Sequence, residues 1–271
     1  MPSFVDAAVE IAHAAGNLLR YYCEKRVGFE LKGEFDLVTE ADKASEKLVV
    51  ERLRQYFPSH SIQAEEGSGG ETGSEYRWYV DPLDGTTNFA HGYPAWSVTL
   101  ALEKAGELVA GVVFDPNRDE LFAAEKGAGA FLNGRRIQVS KTAKLGQSLT
   151  CTGFPNHART GNPNIYFFYQ LAMETHGVRR GGSAAIDLSY TACGRLDAFW
   201  EFGLKPWDLA AGKLLVVEAG GVCTDMRGGI HSMGSADVMA TNGLLHEEMV
   251  GRFGEIFRGN LRQAMPPVGL K

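Results

Sequence analysis

Apolar residues recur every three to four positions at the start of the chain. Phe4, Ala8, Ile11, Ala15, Leu18 and Tyr22 share one stripe, and Asp6, Glu10, His13 and Asn17 take other faces. That spacing predicts an amphipathic helix over 3–24. A second helix is expected over 39–57. Thr39 can cap it, Asp42 stands three positions on in a variant of the capping box, and Pro58 stops it. From 61 to about 139 the pattern shortens to strands. SIQA, YRWYV, WSVTLALE, LVAGVVF and ELFAAE are rich in β-formers and separated by turn residues, with hairpin turns at AGE (105–107) and NGRR (133–136).

After about residue 145 the two periods alternate. Helices are expected near 163–175, 184–193, 207–219 and 243–256, with strands near 197–201, 222–225 and 237–241. The mixture implies layered α/β structure. The chain shows no internal repeat, low-complexity tract or linker. One loose stretch, GSGGETGSE at 67–75, reads as a loop beside Glu65 and Glu66.

Composition narrows the possible functions. The 271 residues, 44% of them hydrophobic, can bury a large core. A net charge of −6 argues against direct nucleic-acid binding, which needs a basic surface, but not against a small anion held beside a cation. The first residues lack the basic, then apolar, order of a signal peptide. No uncharged apolar run approaches the roughly 18 residues of a membrane span. Cys23, Cys151, Cys193 and Cys223 are scattered, with no C-x-x-C pair, and read as reduced thiols of a cytoplasmic protein.

The chemistry centres on DPLDGTTNF at 81–89, which follows the apolar strand YRWYV. Pro82 fixes one φ angle and Gly85 permits a tight turn, so Asp81 and Asp84 can be aimed at one point with the Leu83 carbonyl beside them. Two carboxylates about 4 Å apart repel by about 4 kcal/mol at an effective dielectric near 20, which calls for a positive partner. Gly85, Thr86 and Thr87 offer N–H groups and hydroxyls suited to phosphate oxygens. A second acidic pair, Glu65-Glu66, follows SIQA, and Asp208 opens the apolar helix of PWDLAAG. Taken alone, Glu65-Glu66 reads as a solvated turn and Asp208 as a helix cap. Apart from His91 no histidine or cysteine accompanies these segments, and an all-oxygen donor set favours Mg²⁺ over Zn²⁺.

Taken together, AEEG, DPLDGTTNF and PWDLAAG closely resemble the inositol monophosphatase family. DLVTEADKASE (36–46), GAGAFLNGRRI (127–137), GSAAIDLSYTACGRLDAFWE (182–201) and EAGGVCTD (218–225) extend the resemblance over nearly the whole chain. It implies an αβαβα sandwich, usually a homodimer, with two or three Mg²⁺ ions. It also implies one domain over 1–271, with a metal-site lobe over about 1–145 and a substrate lobe over about 146–271. By position, Glu65, Asp81 and the Leu83 carbonyl would hold the first metal. Asp81, Asp84 and Asp208 would hold the second, and Glu65 would face a weaker third ion. Thr86, bonded to Asp42, would orient the attacking water, and the N–H groups of Gly85 and Thr86 would grip the phosphate. Gly182, Ser183, Ala184, Glu201 and Asp208 would contact the alcohol part of the substrate, and Lys32 matches a basic residue near the metal entrance.

The expected reaction is hydrolysis of a small phosphate monoester, with myo-inositol 1-phosphate as the leading substrate. Phosphoryl transfer needs mainly positioning and charge neutralisation, which a two-metal clamp supplies without a histidine base. Fructose-1,6-bisphosphatases, histidinol phosphatases and nucleotide 3′-phosphatases share the metal motif. Arg179, Arg180, Arg195 and Lys205 keep a bisphosphate substrate open. Asp42 reads also as a plain helix cap, Asp36 and Asp187 as structural, and Arg179 and Arg180 as interface residues or phosphate ligands. A reading from another class is a binding module, since some bacterial members of the family associate with the transcription machinery.

Overall fold

The computed structural model describes residues 2–25, 28–31, 37–154, 161–264 and 269. Lys32 and Asp36 lie outside the described residues. Helix α1 (Phe4–Lys25) and helix α2 (Glu40–Tyr56) flank an antiparallel ribbon of β1 (Phe29–Leu31) and β2 (Leu37–Thr39). Both helices follow the apolar spacing. The expected cap of α2 is present: Thr39 Oγ1 accepts from Ala41 N at 3.1 Å, and Thr39 N donates to Asp42 Oδ2 at 2.8 Å.

A seven-stranded sheet follows, in spatial order β3-β4-β5-β6-β7-β8-β9. Its strands are β3 (Ser61–Ala64), β4 (Tyr76–Asp84), β5 (Ser97–Lys104), β6 (Glu107–Asp115), β7 (Glu120–Glu125), β8 (Gly129–Leu132) and β9 (Arg135–Arg136). A short helix, α3 (Thr86–Ala90), leaves the end of β4. Both expected hairpin turns form. Ala105 and Gly106 take φ of +50° and +87°, and Asn133 and Gly134 take +48° and +74°, the left-handed pair that matches strand twist.

The second half builds a five-stranded sheet in the order β11-β10-β12-β14-β13. It contains β10 (Leu149–Thr152), β11 (Gly177–Arg179), β12 (Ala198–Phe202), β13 (Val222–Thr224) and β14 (Asp237–Thr241), with helices α4 (Asn164–Glu174), α5 (Ala184–Ala192), α6 (Pro206–Glu218) and α7 (His246–Phe257). Three apolar cores separate five layers. Ile11, Val49 and Leu53 of α1 and α2 pack on Trp78, Leu100 and Val112 of the large sheet. Leu188, Leu209 and Leu215 of α5 and α6 lie between Tyr79 and Val113 on one side and Phe199 and Val238 on the other. Phe167 and Phe253 of α4 and α7 cover Trp200 and Met239 on the outer face of the small sheet. The order is α, β, α, β, α, as the resemblance implies.

Candidate active site

β3 and β4 run parallel, with Ala64 opposite Val80. Glu65 therefore leaves β3 beside Asp81, and its N–H donates to Val80 O at 3.1 Å. Two acids 16 positions apart thus meet at the C-terminal ends of the two parallel strands of the sheet.

β4 does not stop at Val80, as YRWYV suggested, but continues to Asp84 through a bulge. Asp81 faces Thr99 on β5 and Asp84 faces Ser97, so three steps on one strand span two on the other. In a regular strand, residues three apart point to opposite faces. The extra residue brings Asp84 back to the face of Asp81. Packing reports the switch. Trp78 and Val80 face the core under α1 and α2, Tyr79 faces the central core, and after the bulge Leu83 faces the α1/α2 core again. Pro82 sits in the bulge, where its missing N–H costs no ladder bond. Leu83 N closes the bulge by donating to Asp81 Oδ1 at 2.9 Å.

Beyond it, Gly85 adopts φ +93°, and a Cβ there would lie 2.9 Å from Ala95 O. Thr86 then turns back. Its Oγ1 lies 2.9 Å from Asp42 Oδ1 and 3.1 Å from Leu83 O. A hydroxyl has one proton, and the Asp42 carboxylate is the stronger acceptor. Asp42 is both cap and partner, so its two readings are compatible.

The opposite wall comes from the second half. Ser183 caps α5, accepting from Ile186 N at 3.3 Å, and its hydroxyl donates to Asp84 Oδ2. Ala185 N donates to the same oxygen at 2.9 Å. The side chain of Ser183 is thus held by the cap and Asp84, which leaves its backbone to face the cavity. Asp208 is the third residue of α6 rather than its N-cap, and its Oδ2 accepts from Lys205 N at 2.7 Å. Thr99 Oγ1 donates to Trp207 O at 2.9 Å, tying the start of α6 to β5. Glu201 projects from β12. A Cβ on Gly153 would lie 2.1 Å from its Oε2, so an alanine there would displace the Glu201 carboxylate.

These walls enclose a cavity of about 380 Å³. Glu65, Asp81, Leu83, Asp84, Gly85, Thr86, Gly182, Ser183, Ala184, Glu201 and Asp208 all line it, and Asp42 stands behind Thr86. The cavity wall also includes Asp187, Arg180, Lys205 and Gly153. Asp187, read as structural, also lines the cavity; burial raises its carboxyl well above the usual range, with Arg180 and a bond from Gly181 N opposing. The acidic residue in the first turn of α5, one helical turn after Ser183, was the available signal. Of the four basic residues noted in the sequence, Arg180 and Lys205 line the cavity. Arg195 instead pairs with Glu120 at 2.6 Å, and Arg179 is exposed on β11.

Burial and crowding dominate the electrostatics. Burial pushes Asp81 well above the usual carboxylate range, and Glu65, Asp84 and Asp208 add to the rise. Asp84 is pushed up to about 6 by burial, against the opposing bonds from Ser183 and α5. Burial also raises Asp208 well above normal, with Asp84 and Glu65 contributing while Lys205 N lowers it. Glu201 is raised by burial, then by Asp187, Asp208 and Asp84, with Arg180 opposing.

Among the described residues, no three His, Cys, Asp or Glu side chains form a ready-made metal cage, and no histidine or cysteine lines the cavity. The fit to a cation is one of donor chemistry. The Glu65, Asp81, Asp84 and Asp208 carboxylates and the Leu83 carbonyl are all hard oxygens. Burial and mutual repulsion raise the proton affinity of Asp81, Asp84 and Asp208, and a hard divalent cation would offset their crowded charge.

The family model described as "Inositol monophosphatase family" matches residues 1–257. The chain is 43% identical to the Nus factor SuhB of Pseudomonas aeruginosa over 250 residues, covering 89% of this chain and 92% of that protein. It is 41% identical to the inositol-1-monophosphatase of Mesorhizobium japonicum over 252 residues, covering 92% and 95%. The solved inositol monophosphatase of Anabaena superposes with a TM-score of 0.85 at 43% identity, over 93% of this chain and 96% of that one.

Proposed function

The chain belongs to the inositol monophosphatase family, and from that premise we propose that it hydrolyses myo-inositol 1-phosphate to myo-inositol and phosphate with Mg²⁺ as cofactor. It is a phosphoric monoester hydrolase. The observation that carries the finer reading is the meeting of Glu65, Asp81, Asp84, Asp208 and the Leu83 carbonyl on one cavity, with Glu201 in the same cavity wall.

Glu65, Asp81 and Leu83 O would hold one Mg²⁺, and Asp81, Asp84 and Asp208 a second, with room at Glu65 for a third. When bound, such ions supply charge neutralisation and a water acidic enough to attack phosphorus at neutral pH. The protein's own groups supply orientation. With its proton directed to Asp42, Thr86 Oγ1 keeps a lone pair to accept a bond from the attacking water. The N–H groups of Gly85 and Thr86 are assigned to the phosphate oxygens. Glu201, on β12 in the same cavity wall, accepts bonds from the leaving polyol, aided by Asp208 and the backbone of Gly182, Ser183 and Ala184. In this division of labour the metal site draws on residues 1–145 together with Asp208, and the alcohol site on residues 146–271. We extend the reading to a cytoplasmic homodimer, checked by sedimentation of the purified protein.

The test is a kcat/KM panel over inositol 1-phosphate, fructose 1,6-bisphosphate, histidinol phosphate and adenosine 3′,5′-bisphosphate, with Mg²⁺ and with EDTA. Inositol 1-phosphate should lead, EDTA should abolish turnover, and Li⁺ should inhibit. Preference for a bisphosphate would transfer the substrate assignment to Arg180 and Lys205, which also line the cavity. Full turnover after metal stripping would remove the metal-dependent account. A second reading has one specific support: the relative at 43% identity is named a Nus factor. A role in the transcription machinery would then rest on a protein partner, tested by binding to purified transcription complexes with a catalytically silent variant.

A further inference from the structure

We infer that the first two turns of α2 act as a positioning template that braces the two acidic segments against each other, with Glu46 and Ser45 as positioning residues. This deepens the metal-dependent reading above and rests on it.

Asp42, Ser45 and Glu46 are spaced i, i+3, i+4 and so share one face of α2. All three are buried, at 0%, 0% and 1% exposure, inside a helix whose next turns present Val49, Val50 and Leu53 to the core. Buried polar residues in such a stripe require partners, and each finds one in a different piece of the cavity wall. Asp42 takes Thr86. Ser45 Oγ donates to Pro82 O at 2.9 Å. Glu46 accepts three bonds from the turn that follows Glu65: Glu66 N at 2.6 Å, Ser68 N at 2.8 Å and Ser68 Oγ at 2.5 Å.

The consequence is geometric. Pro82 O and Leu83 O belong to consecutive peptides of the bulge. Holding the Pro82 carbonyl toward α2 restrains the peptide that leads into Leu83 and its carbonyl, one of the assigned metal donors. Glu46 does the same for the other segment. Glu65 is tied to β4 through its own N–H, and Glu46 grips the next backbone groups along, so the direction in which Glu65 leaves β3 is held from both sides. Gly69 packs against the same strand so closely that a Cβ would lie 2.1 Å from Ile62 O, which pins the far end of the turn. The β3–β4 pairing sets Glu65 beside Asp81, and one rigid helix then braces both segments, holding the Pro82–Leu83 peptide and the turn after Glu65 in place. Groups that orient metal-binding side chains commonly carry 10- to 100-fold effects.

The test uses the whole chain. In Glu46→Gln an amide NH₂ must face either Glu66 N or the Ser68 donors, so one side of the grip is lost with little change in volume. The expected result is a Mg²⁺ dissociation constant, read by calorimetry without substrate, raised about 10-fold or more. The Mg²⁺ midpoint for turnover should move in parallel, while kcat at saturating Mg²⁺ stays within a few-fold of wild type. Ser45→Ala and Ser68→Ala should shift the same midpoint by a few-fold. A purely structural role would lower the melting temperature and leave the Mg²⁺ midpoint of the folded fraction where it was. If Glu46→Gln fails to fold, Ser68→Ala decides, because Ser68 is exposed and its hydroxyl supplies only one of the three bonds. Folded variants with wild-type Mg²⁺ binding overturn the inference. Wild-type protein that binds no Mg²⁺ would instead overturn the functional reading on which it stands.

Discussion

Single residues here carry opposed demands, and Asp84 shows them most sharply. Its Oδ2 accepts from Ser183 and Ala185, which favours the ionised form, yet burial holds its pKa near 6. Asp84→Asn keeps a carbonyl oxygen for both donors and removes one charge from the cluster. Metal-free protein should then melt no lower than wild type at pH 7.5, while Mg²⁺ affinity falls and kcat drops about 10²–10³-fold, as for loss of a major electrostatic stabiliser. Calorimetry and kinetics on the same preparation check it; unchanged kcat would make Asp84 a turn residue only. Glu201 allows a cleaner separation. Glu201→Gln should raise KM for inositol 1-phosphate about 10-fold and leave Mg²⁺ binding near wild type. Gly153→Ala should act in the same direction without touching any charge, because its Cβ would lie in the space of the Glu201 carboxylate. Equal losses of metal affinity and turnover in Glu201→Gln would move Glu201 to the metal side.

Elements were legible in proportion to their periodicity. α1, α2 and the long strands β4 to β7 carry enough apolar repeats to declare themselves, and Asn133-Gly134 names its own turn. β1, β2, β8, β9, β10 and β11 are two to four residues long, too short for a period, and exist because neighbours supply their partners. The bulge in β4 left no signature beyond Pro82 and Gly85, since it is defined by the register against β5. That register is what turns a three-residue spacing, facing opposite sides in an ordinary strand, into a convergent pair. The segment between β13 and β14 illustrates a buried group that no pattern announced. His231 is buried beside α6, with Lys213 Nζ 2.8 Å from its carbonyl and 3.4 Å from its Nδ1. Burial, then the Lys213 charge, push its imidazole down to about 4. An unfolded histidine titrates near 6.5, so between roughly pH 6.5 and 4 the unfolded chain takes up a proton that the folded one refuses. This contribution to stability is complete above about 6.5 and is lost progressively toward 4. His231→Gln should remove that slope: urea midpoints of wild type and variant should run parallel above pH 7 and converge, or cross, on acidification. Curves parallel down to pH 4.5 would show that His231 titrates normally.

At the scale of the whole molecule, the sequence motifs named the acids but not the wall they share. Glu65 and Asp208 are separated by 143 positions, and only the packing of α6 against β4, β5 and β6 brings them to one cavity. Asp187 reads as structural in the sequence, and its place on the cavity wall follows only from where α5 docks. That assembly concentrates negative charge in a protein already at −6, and it makes global stability depend on what neutralises the cluster. For a carboxylate whose folded pKa is raised, the folded state binds the proton more tightly than the unfolded one. Its favourable contribution is present below the unfolded value, near 4, and is lost as pH rises through the folded value, about 6 for Asp84. Metal-free protein should therefore lose this contribution between about pH 4 and 6 and not regain it at neutral pH. Under the proposed function, Mg²⁺ would compete with those protons for the same oxygens. At pH 7.5 and a concentration about 100 times its dissociation constant, a ligand bound only by the folded state adds about 2.7 kcal/mol. At roughly 2–4 °C per kcal/mol for a chain of this size, the melting temperature should rise by about 5–10 °C. At pH 5 the acids hold their protons and the same Mg²⁺ concentration should raise it by much less. Thermal melts with and without Mg²⁺ at the two pH values, repeated on Asp81→Asn, test the linkage. A shift of equal size at both pH values, or one that survives in Asp81→Asn, would place the stabilising ion away from this cluster.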